Sequence, residues 1–478
     1  MKSDICGHPR QLWMLLAVTT GFTFAFYGIR AYLAPYIAQD FFSGLDAAAA
    51  QKQADLLTSG FLALSYATPI VGGYVADNVL GESLSLLIAL WLGVLSLILM
   101  SLPSLLGFET GMALYAFASG LAIPLTVLIG RNYTEGDARR DGGYTLYYFA
   151  VSLGSFIAPF ICADWVAGRF GYRWGFIAAA LGMALAAITF QMRRFKLQPV
   201  LPRGGRHAAA AIWVMIAIAA LLYPMALLLS HPEVLSDAMY LLMILLVSYF
   251  VVRCIRRRDR IQAHRYIALL ILFVALVLFW TLSLQGVTSL NFLARDYVDA
   301  PFNYTLFQAA NPLYLLLLAP LLALLWPWLE RRGRDPSTPR KFGIGLLLVA
   351  LSYGLMVIAI RFGLTAAGRI PWEALAGCYL LQTLGELALS PIGYSLVGLL
   401  AAPEDTSLAM GGWFFGIALA YQLAGWIATL TISGGSDARS GLVAYALVYE
   451  RLFLGGVAVS LIYLLAAPSL KKLMHGVR

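Results

Sequence analysis

Apolar residues fill this chain in long unbroken stretches, and polar residues collect in the short connections between them. About 18 consecutive apolar residues are enough to cross a bilayer as a helix. Fourteen stretches qualify, at roughly 11–38, 54–79, 83–103, 109–130, 143–166, 172–192, 208–230, 235–253, 266–294, 304–328, 342–363, 372–401, 407–432 and 442–468. The pattern predicts an all-α membrane protein with 14 transmembrane helices. No polar connection is much longer than roughly 15 residues, too short to fold as a domain. The first apolar run is followed by no small-residue cleavage site, so it reads as a retained helix rather than a signal peptide.

Composition removes the soluble classes. The chain is 61% hydrophobic and 12% charged, with mean hydropathy +0.79, against about 25% charged residues in soluble domains. The net charge of +9 would suit nucleic acid, but its placement excludes that partner. Of the 33 Lys and Arg residues, 24 fall in six clusters: Lys2/Arg10, Arg131/Arg139/Arg140, Arg193 to Arg206, Arg253 to Arg265, Arg331 to Lys341 and Lys471 to Arg478. In a 14-helix threading all six lie on one side. Basic loops stay in the cytoplasm, so both termini are expected there. Cys6, Cys162, Cys254 and Cys378 have no metal or redox spacing, and the CGH triplet at residues 6–8 reads as a plain tail. The five histidines lie in loops or near span ends. No Ser/His/Asp, metal or phosphate-loop pattern appears, so neither an enzyme nor a cofactor is expected.

Two ionisable residues stand apart. Arg30 lies in AFYGIRAYLAPYI (residues 25–37) and Glu386 in TLGELALSPIG (residues 383–393), each inside an apolar span. Charges at membrane depth are costly and face a partner or a water-filled cavity. A base in one half of the chain and an acid in the other suit a zwitterionic ligand, while a mutual salt bridge or two inter-helix struts remain open. GGYVADNVLG (residues 72–81) joins spans 2 and 3; its paired glycines allow close helix approach, and Asp77 sits where the chain turns. Pro124, Pro159, Pro312 and Pro391 lie in apolar spans, as static kinks or as bending points.

Basic runs at 193–206 and 253–265 bracket spans 7 and 8. Setting that pair aside leaves six spans on each side, the plan of the major facilitator superfamily, whose substrate lies at the midplane between halves. The expected division is a six-helix bundle over 1–200, a peripheral two-helix insertion over 201–262, and a second six-helix bundle over 263–478. The sequence resembles, over nearly its whole length, the bacterial proton-dependent oligopeptide transporters (the POT family). The blocks that carry the resemblance are FYGIRAYLAPYI, GGYVADNVLG, GYTLYYFAVSLGSFIAPFI, GYRWGFIAAALG, QGVTSLNFLARDYVDAPFNYTLFQAANPLYLLLLAP with STPRKFGIGLLL, TLGELALSPIG and MGGWFF.

The resemblance implies roles residue by residue. Arg30 would receive a peptide carboxylate, for which a bidentate guanidinium is suited. Glu386 would receive the peptide ammonium and Asn311 would hydrogen-bond the same end. Tyr27, Tyr148 and Trp413 would line side-chain pockets, although helix packing explains Tyr27 and Trp413 equally well. Asp77 would belong to a cytoplasmic gate; the basic residue usual after that loop is replaced by Glu82 and Ser83.

The departures from the family pattern fall together. The helix-1 E-x-x-E-R positions are Thr19, Phe22 and Thr23, and the helix-4 lysine falls at or beside Ile123. A helix-5 asparagine, expected among the substrate contacts, is Ser152, and an acid before the QG of span 9 is Leu284. Losing one member of a buried charge network strands its partners at about 3–5 kcal/mol, whereas losing all of them leaves a neutral patch. This pattern suggests coordinated removal of a proton-coupling module. The expectation is a monomeric alternating-access transporter of di- and tripeptides or peptide-like zwitterions, with protons as an additional partner if Glu386, the remaining midplane carboxylate, does the coupling. The alternatives are an uncoupled facilitator or exporter of a peptide-like metabolite (a siderophore, antibiotic or amino-acid conjugate) and a transport-inactive membrane receptor.

Overall fold

The computed structural model describes residues 5–133, 137, 139–194, 207–256, 259–334, 336–402, 405–432 and 438–475. Among them, 13 helices are long and apolar enough to cross a membrane. They are α1 (Arg10–Arg30), α2 (Ala47–Leu80), α3 (Glu82–Met100), α4 (Leu105–Gly130), α5 (Gly142–Phe170), α6 (Tyr172–Arg193), α7 (Ala209–Ser230), α8 (Pro232–Arg256), α9 (Arg260–Tyr297), α10 (Tyr304–Leu322), α11 (Thr338–Phe362), α13 (Leu408–Thr429) and α14 (Arg439–Leu473). The fourteenth predicted helix is α12 (Trp372–Leu400). Its 29 residues span roughly 43 Å at the usual helical rise. The expected 14 helices are therefore all present, accompanied by a parallel pair of two-residue strands, Val298–Asp299 and Ile370–Pro371.

Helix ends differ from the hydropathy pattern where polar residues extend a helix. The second span was expected from residue 54, yet α2 begins at Ala47. Four alanines of high helix propensity start it, and Asp46 Oδ1 accepts from the Ala49 N–H at 2.8 Å, satisfying one of the unpaired first-turn donors. The first span was expected to run to residue 38, but α1 ends at Arg30 and a separate short helix, Leu33–Asp40, follows.

Prolines mark several irregularities. In α4 the helix Leu105–Leu121 gives way to Pro124–Gly130, and in α5 a π-helical stretch runs from Pro159 to Ala167. Pro312 occupies the first turn of the α-helix Ala310–Arg331, where its missing N–H costs little. The side chain of Pro391 lies outside the described residues, as do Lys2, Lys196, Arg203, Arg206, Arg257, Arg258 and Arg478 of the basic clusters and the expected boundary near residue 200. Gly81 and Gly171 adopt φ of 79° and 94° immediately before α3 and α6, a left-handed turn that a side chain would strain.

The chain folds as two compact units: residues 1–41 with 64–232, and residues 42–63 with 233–478. In the first unit α1 packs on α5 and α6, and α3 on α4 and α6. Small residues set these crossings. A Cβ at Gly72 of α2 would lie 2.2 Å from the Gly120 carbonyl of α4, and one at Gly154 of α5 would lie 2.2 Å from Thr23 Oγ1 and 2.4 Å from the Thr20 carbonyl of α1. Beyond α1, Tyr32, Tyr36, Phe108 and Phe176 form a buried aromatic cluster. In the second unit α11 packs on α12 and α14, α9 on α13, and α10 on α12.

The expected mid-chain insertion is divided: α7 packs on α4 in the first unit and α8 belongs to the second. Only 17% and 11% of the apolar windows of α7 and α8 are buried, so both lie at the periphery of their units. A polar anchor fixes α8. Asp405, 2% exposed, accepts from Tyr249 Oη (2.7 Å) and Arg253 Nη2 (2.7 Å) of α8 and from Tyr266 Oη of α9.

Candidate functional site

In the second unit, α10 and α12 place Asn311 beside Glu386. The Asn311 amide donates to Glu386 Oε2 (2.8 Å) and to Thr383 Oγ1 (3.0 Å). Thr383 in turn donates to the Tyr379 carbonyl at 2.8 Å, so the threonine is fixed and the amide with it. Both Asn311 and Glu386 are half-buried. Thr383, one turn before Glu386, was not among the expected contacts; its place at i−3 in TLGELALSPIG was the available signal. Close approach of α11 brings the Gly345 carbonyl to 2.8 Å from where a Cβ on Gly385 would stand, which holds the Glu386 segment of α12 against its neighbour.

A polar layer surrounds the α9 end of this region. Gln285 is fully buried; its amide donates to the Ala424 carbonyl (3.1 Å) and its oxygen accepts from Ser289 Oγ (2.7 Å). The Gln308 and Tyr379 side chains both donate to the Gly286 carbonyl, at 2.5 Å and 3.3 Å. Leu284 is buried. Trp413, expected to line a pocket, is 2% exposed and packs against Phe273 and Phe342 at ring separations of 5.9 and 6.4 Å.

In the first unit Arg30 is the last residue of α1, where the negative end of the helix dipole favours a cation, and its guanidinium lies 5.2 Å from the Tyr27 ring centroid. Phe26 supports Tyr27 edge-on at 5.5 Å. Tyr148 of α5 is 59% exposed and lies edge-on to Tyr147 at 5.8 Å, while Ser152, one turn on, is 9% exposed. The structure thus brings Arg30 to Tyr27 in one unit and Asn311 to Glu386 in the other.

The neutral positions of α1 are packed, not hollow. Thr19 is 1% exposed and donates to the Leu15 carbonyl at 2.8 Å. Thr23 donates to the Thr19 carbonyl at 3.0 Å, and Thr20 reaches the Ala150 carbonyl of α5 at 3.3 Å. Ile123 sits at the break in α4, 3.9 Å from where a Cβ on Gly73 would be. Asp77, in the π-helical end of α2, is exposed. The acidic residue after its loop, Glu82, is 5% exposed and forms a salt bridge with Arg131 at the end of α4. An acid–base pair thus exists at this loop, with Glu82 as the acid and Arg131 of the α4 end as the base. Among the described residues no group of three or more His, Cys, Asp or Glu side chains is placed to hold a metal ion.

The helical architecture and two-unit plan define a multi-pass membrane transporter of the major facilitator fold. Residues 83–440 match the POT family model, and the chain belongs to that family. It is 30% identical to a peptide transporter of Yersinia enterocolitica over 98% of this chain and 96% of that relative. It is 27% identical to dipeptide and tripeptide permease B of Aliivibrio fischeri, over 99% and 97%. Among solved structures, a POT peptide transporter in complex with alafosfalin superposes with a TM-score of 0.84 at 28% identity, covering 99% of this chain and 98% of that one. A POT family transporter bound to 5-aminolevulinic acid gives 0.82 at 27% identity, covering 98% of each. These relatives are transporters, a non-catalytic class.

Proposed function

We propose that this chain moves di- and tripeptides or peptide-like zwitterions across a bacterial inner membrane by alternating access, with both termini cytoplasmic. The observation that carries the reading is the Asn311–Glu386 hydrogen bond at 2.8 Å, which aims a carboxylate held by a fixed amide. In this reading Glu386 receives the substrate ammonium, Asn311 the adjacent carbonyl, and Arg30 the carboxylate through its two-pronged guanidinium. Tyr27, Tyr148 and Ser152 border the substrate, Trp413 supports it from the packed side, and Asp77 acts at the cytoplasmic gate. The kinked segments at Pro124 and Pro159 absorb the motion. Relatives found with alafosfalin and with a thioalcohol-conjugated peptide support a site tolerant of peptide-like cargo.

Substrate must favour the occluded conformation by contacts it makes there and not elsewhere. Glu386 takes up a proton on the outer side and keeps it while the substrate is bound, its carbonyl oxygen accepting from the ammonium; the proton leaves with the substrate on the inner side, which couples uptake to the proton gradient. The test is uptake of labelled dialanine into proteoliposomes with and without an inward proton gradient, for the wild type and Glu386→Gln. Accumulation driven by the gradient and lost in the variant is the expected result. A variant that still transports, at a rate insensitive to pH, overturns coupling at Glu386. Wild-type equilibration that ignores the gradient favours the facilitator or exporter reading.

A further inference from the structure

Asp55 is a carboxylate that the substrate chemistry leaves unused. It lies in α2, roughly 12 Å along the helix from Ala47. It is 0% exposed, and neither of its carboxylate oxygens has a hydrogen-bond partner among the described residues. All of its surroundings belong to the second unit. Gly425 of α13 abuts it closely: a Cβ there would stand 2.4 Å from Ser59 Cβ and 3.2 Å from the Asp55 carbonyl. On its own helix Gln51, one turn back, faces the carboxyl, and its amide also donates to Tyr445 Oη of α14 at 3.3 Å. The Tyr445 ring is packed edge-on to Tyr297 (5.7 Å) and Tyr449 (5.7 Å). The charged group facing from α9 is Arg295, which is gripped by Asp296 through bonds of 2.7 and 2.9 Å and lies over Phe292.

A carboxylate stripped of water and of partners is strongly disfavoured in its ionised form and takes up a proton instead. Acids in membrane-spanning helices are rare, and they mark proton and ion pathways more often than structure. We propose that Asp55 is a proton-binding site of the transport cycle, protonated while residues 42–63 pack against α9, α13 and α14, and ionised once that segment comes away and water reaches it. The step is one proton passing from hydronium to one carboxylate, breaking one O–H bond and forming another and leaving a neutral water and a neutral carboxyl; the reverse step returns the proton to a water molecule. Closure of α2 on its neighbours then requires the proton, which ties a conformational change to the proton gradient at a place remote from the substrate carboxylate. This supplies a coupling element that the neutral positions Thr19, Phe22, Thr23 and Ile123 lack.

The inference rests on the transport reading for its role in coupling, but the proton itself is measured separately. Asp55→Asn reproduces the shape of a protonated carboxyl. In proteoliposomes it is expected to retain peptide exchange at equal pH on both sides and to lose accumulation driven by an inward proton gradient. Infrared spectra of the wild type at neutral pH are expected to contain the carbonyl stretch of a protonated carboxylic acid that the variant lacks. Wild-type accumulation by Asp55→Asn overturns the proposal, and so does loss of exchange together with accumulation, which would make Asp55 structural. If the wild type moves no peptide at all, the peptide reading fails by itself. The infrared band then decides alone: its presence retains Asp55 as a proton site, and its absence removes it.

Discussion

Asn311 decides how Glu386 is presented. Its amide has two donors, one on the Glu386 carboxylate and one on Thr383, so a neutral amide helps to orient the acid. Asn311→Ala leaves the carboxylate unaimed, and removal of such a charge-assisted bond costs about 1.5–3 kcal/mol. The expected outcome is a rise in the KM for dipeptide of roughly 10–100-fold with protein yield and fold intact, read from uptake kinetics. Arg30→Lys keeps the charge but loses the planar fork; KM for peptides is expected to rise, while peptide amides without a free carboxylate show no difference from the wild type. Arg30 and Glu386 were legible in the sequence because each is an isolated charge in an apolar run. Asp55 was not, because QKQAD precedes it and hydropathy places it at a helix end, where a carboxylate has access to water. Only the extension of α2 back to Ala47 puts it inside. Trp413 carries the same lesson in reverse: aromatic positions in an apolar helix have no sequence mark that separates pocket from packing.

At the scale of the helix, glycine sets how near two elements can come. The crossing of α2 and α4 is backbone on backbone at Gly72 and Gly120, and the Thr68 hydroxyl spans it to the Ala116 carbonyl at 2.6 Å. A methyl group at Gly72 has no side chain to displace, only main chain. Gly72→Ala is expected to lower stability by about 1–3 kcal/mol, visible as a drop in Tm in detergent, whereas Gly44→Ala, with nothing near its Cβ position, should leave Tm unchanged. The paired glycines of GGYVADNVLG announced such an approach; which helix would meet them is a tertiary fact that one sequence does not carry. Helix breaks follow prolines. Pro124 and Pro159 flagged their irregularities, and Pro35, which has no N–H for the Ala31 carbonyl four residues back, accounts for the interruption after Arg30.

The whole molecule depends on anchors between elements far apart in the chain, of which Asp405 is the clearest. It gathers Tyr249 and Arg253 from α8 and Tyr266 from α9, and so holds a peripheral helix to its unit. Burial pushes its carboxyl up, but hydrogen bonds from Tyr266, Tyr249 and Arg253 more than offset this and hold it below the usual carboxylate range. A depressed folded-state value gives stability that is complete above the unfolded value of about 3.9 and disappears as pH falls through the folded one. Thermal melts in detergent should therefore hold steady from neutral pH to about pH 4 and fall below it; in Asp405→Asn the starting Tm is lower and the acid slope shallower. The 14-helix plan was readable because hydropathy and basic clusters agree on it. The sharing of α7 and α8 between units was not, since both are apolar all round and carry no stripe that selects a neighbour.

The crossing of α1 on α5 bears on the history this chain can have. Thr19 is sealed in, Thr20 and Thr23 lean on the backbone at Gly154, and the helix-4 position opposite is an isoleucine. An acid or base placed alone at Thr19 would enter a site that is 1% exposed, where a lone charge is costly. A single charged substitution there is thus disfavoured, and a paired charge network across this crossing would need several substitutions at once. The neutral seam works as a ratchet: charged side chains can enter it together far more readily than one at a time.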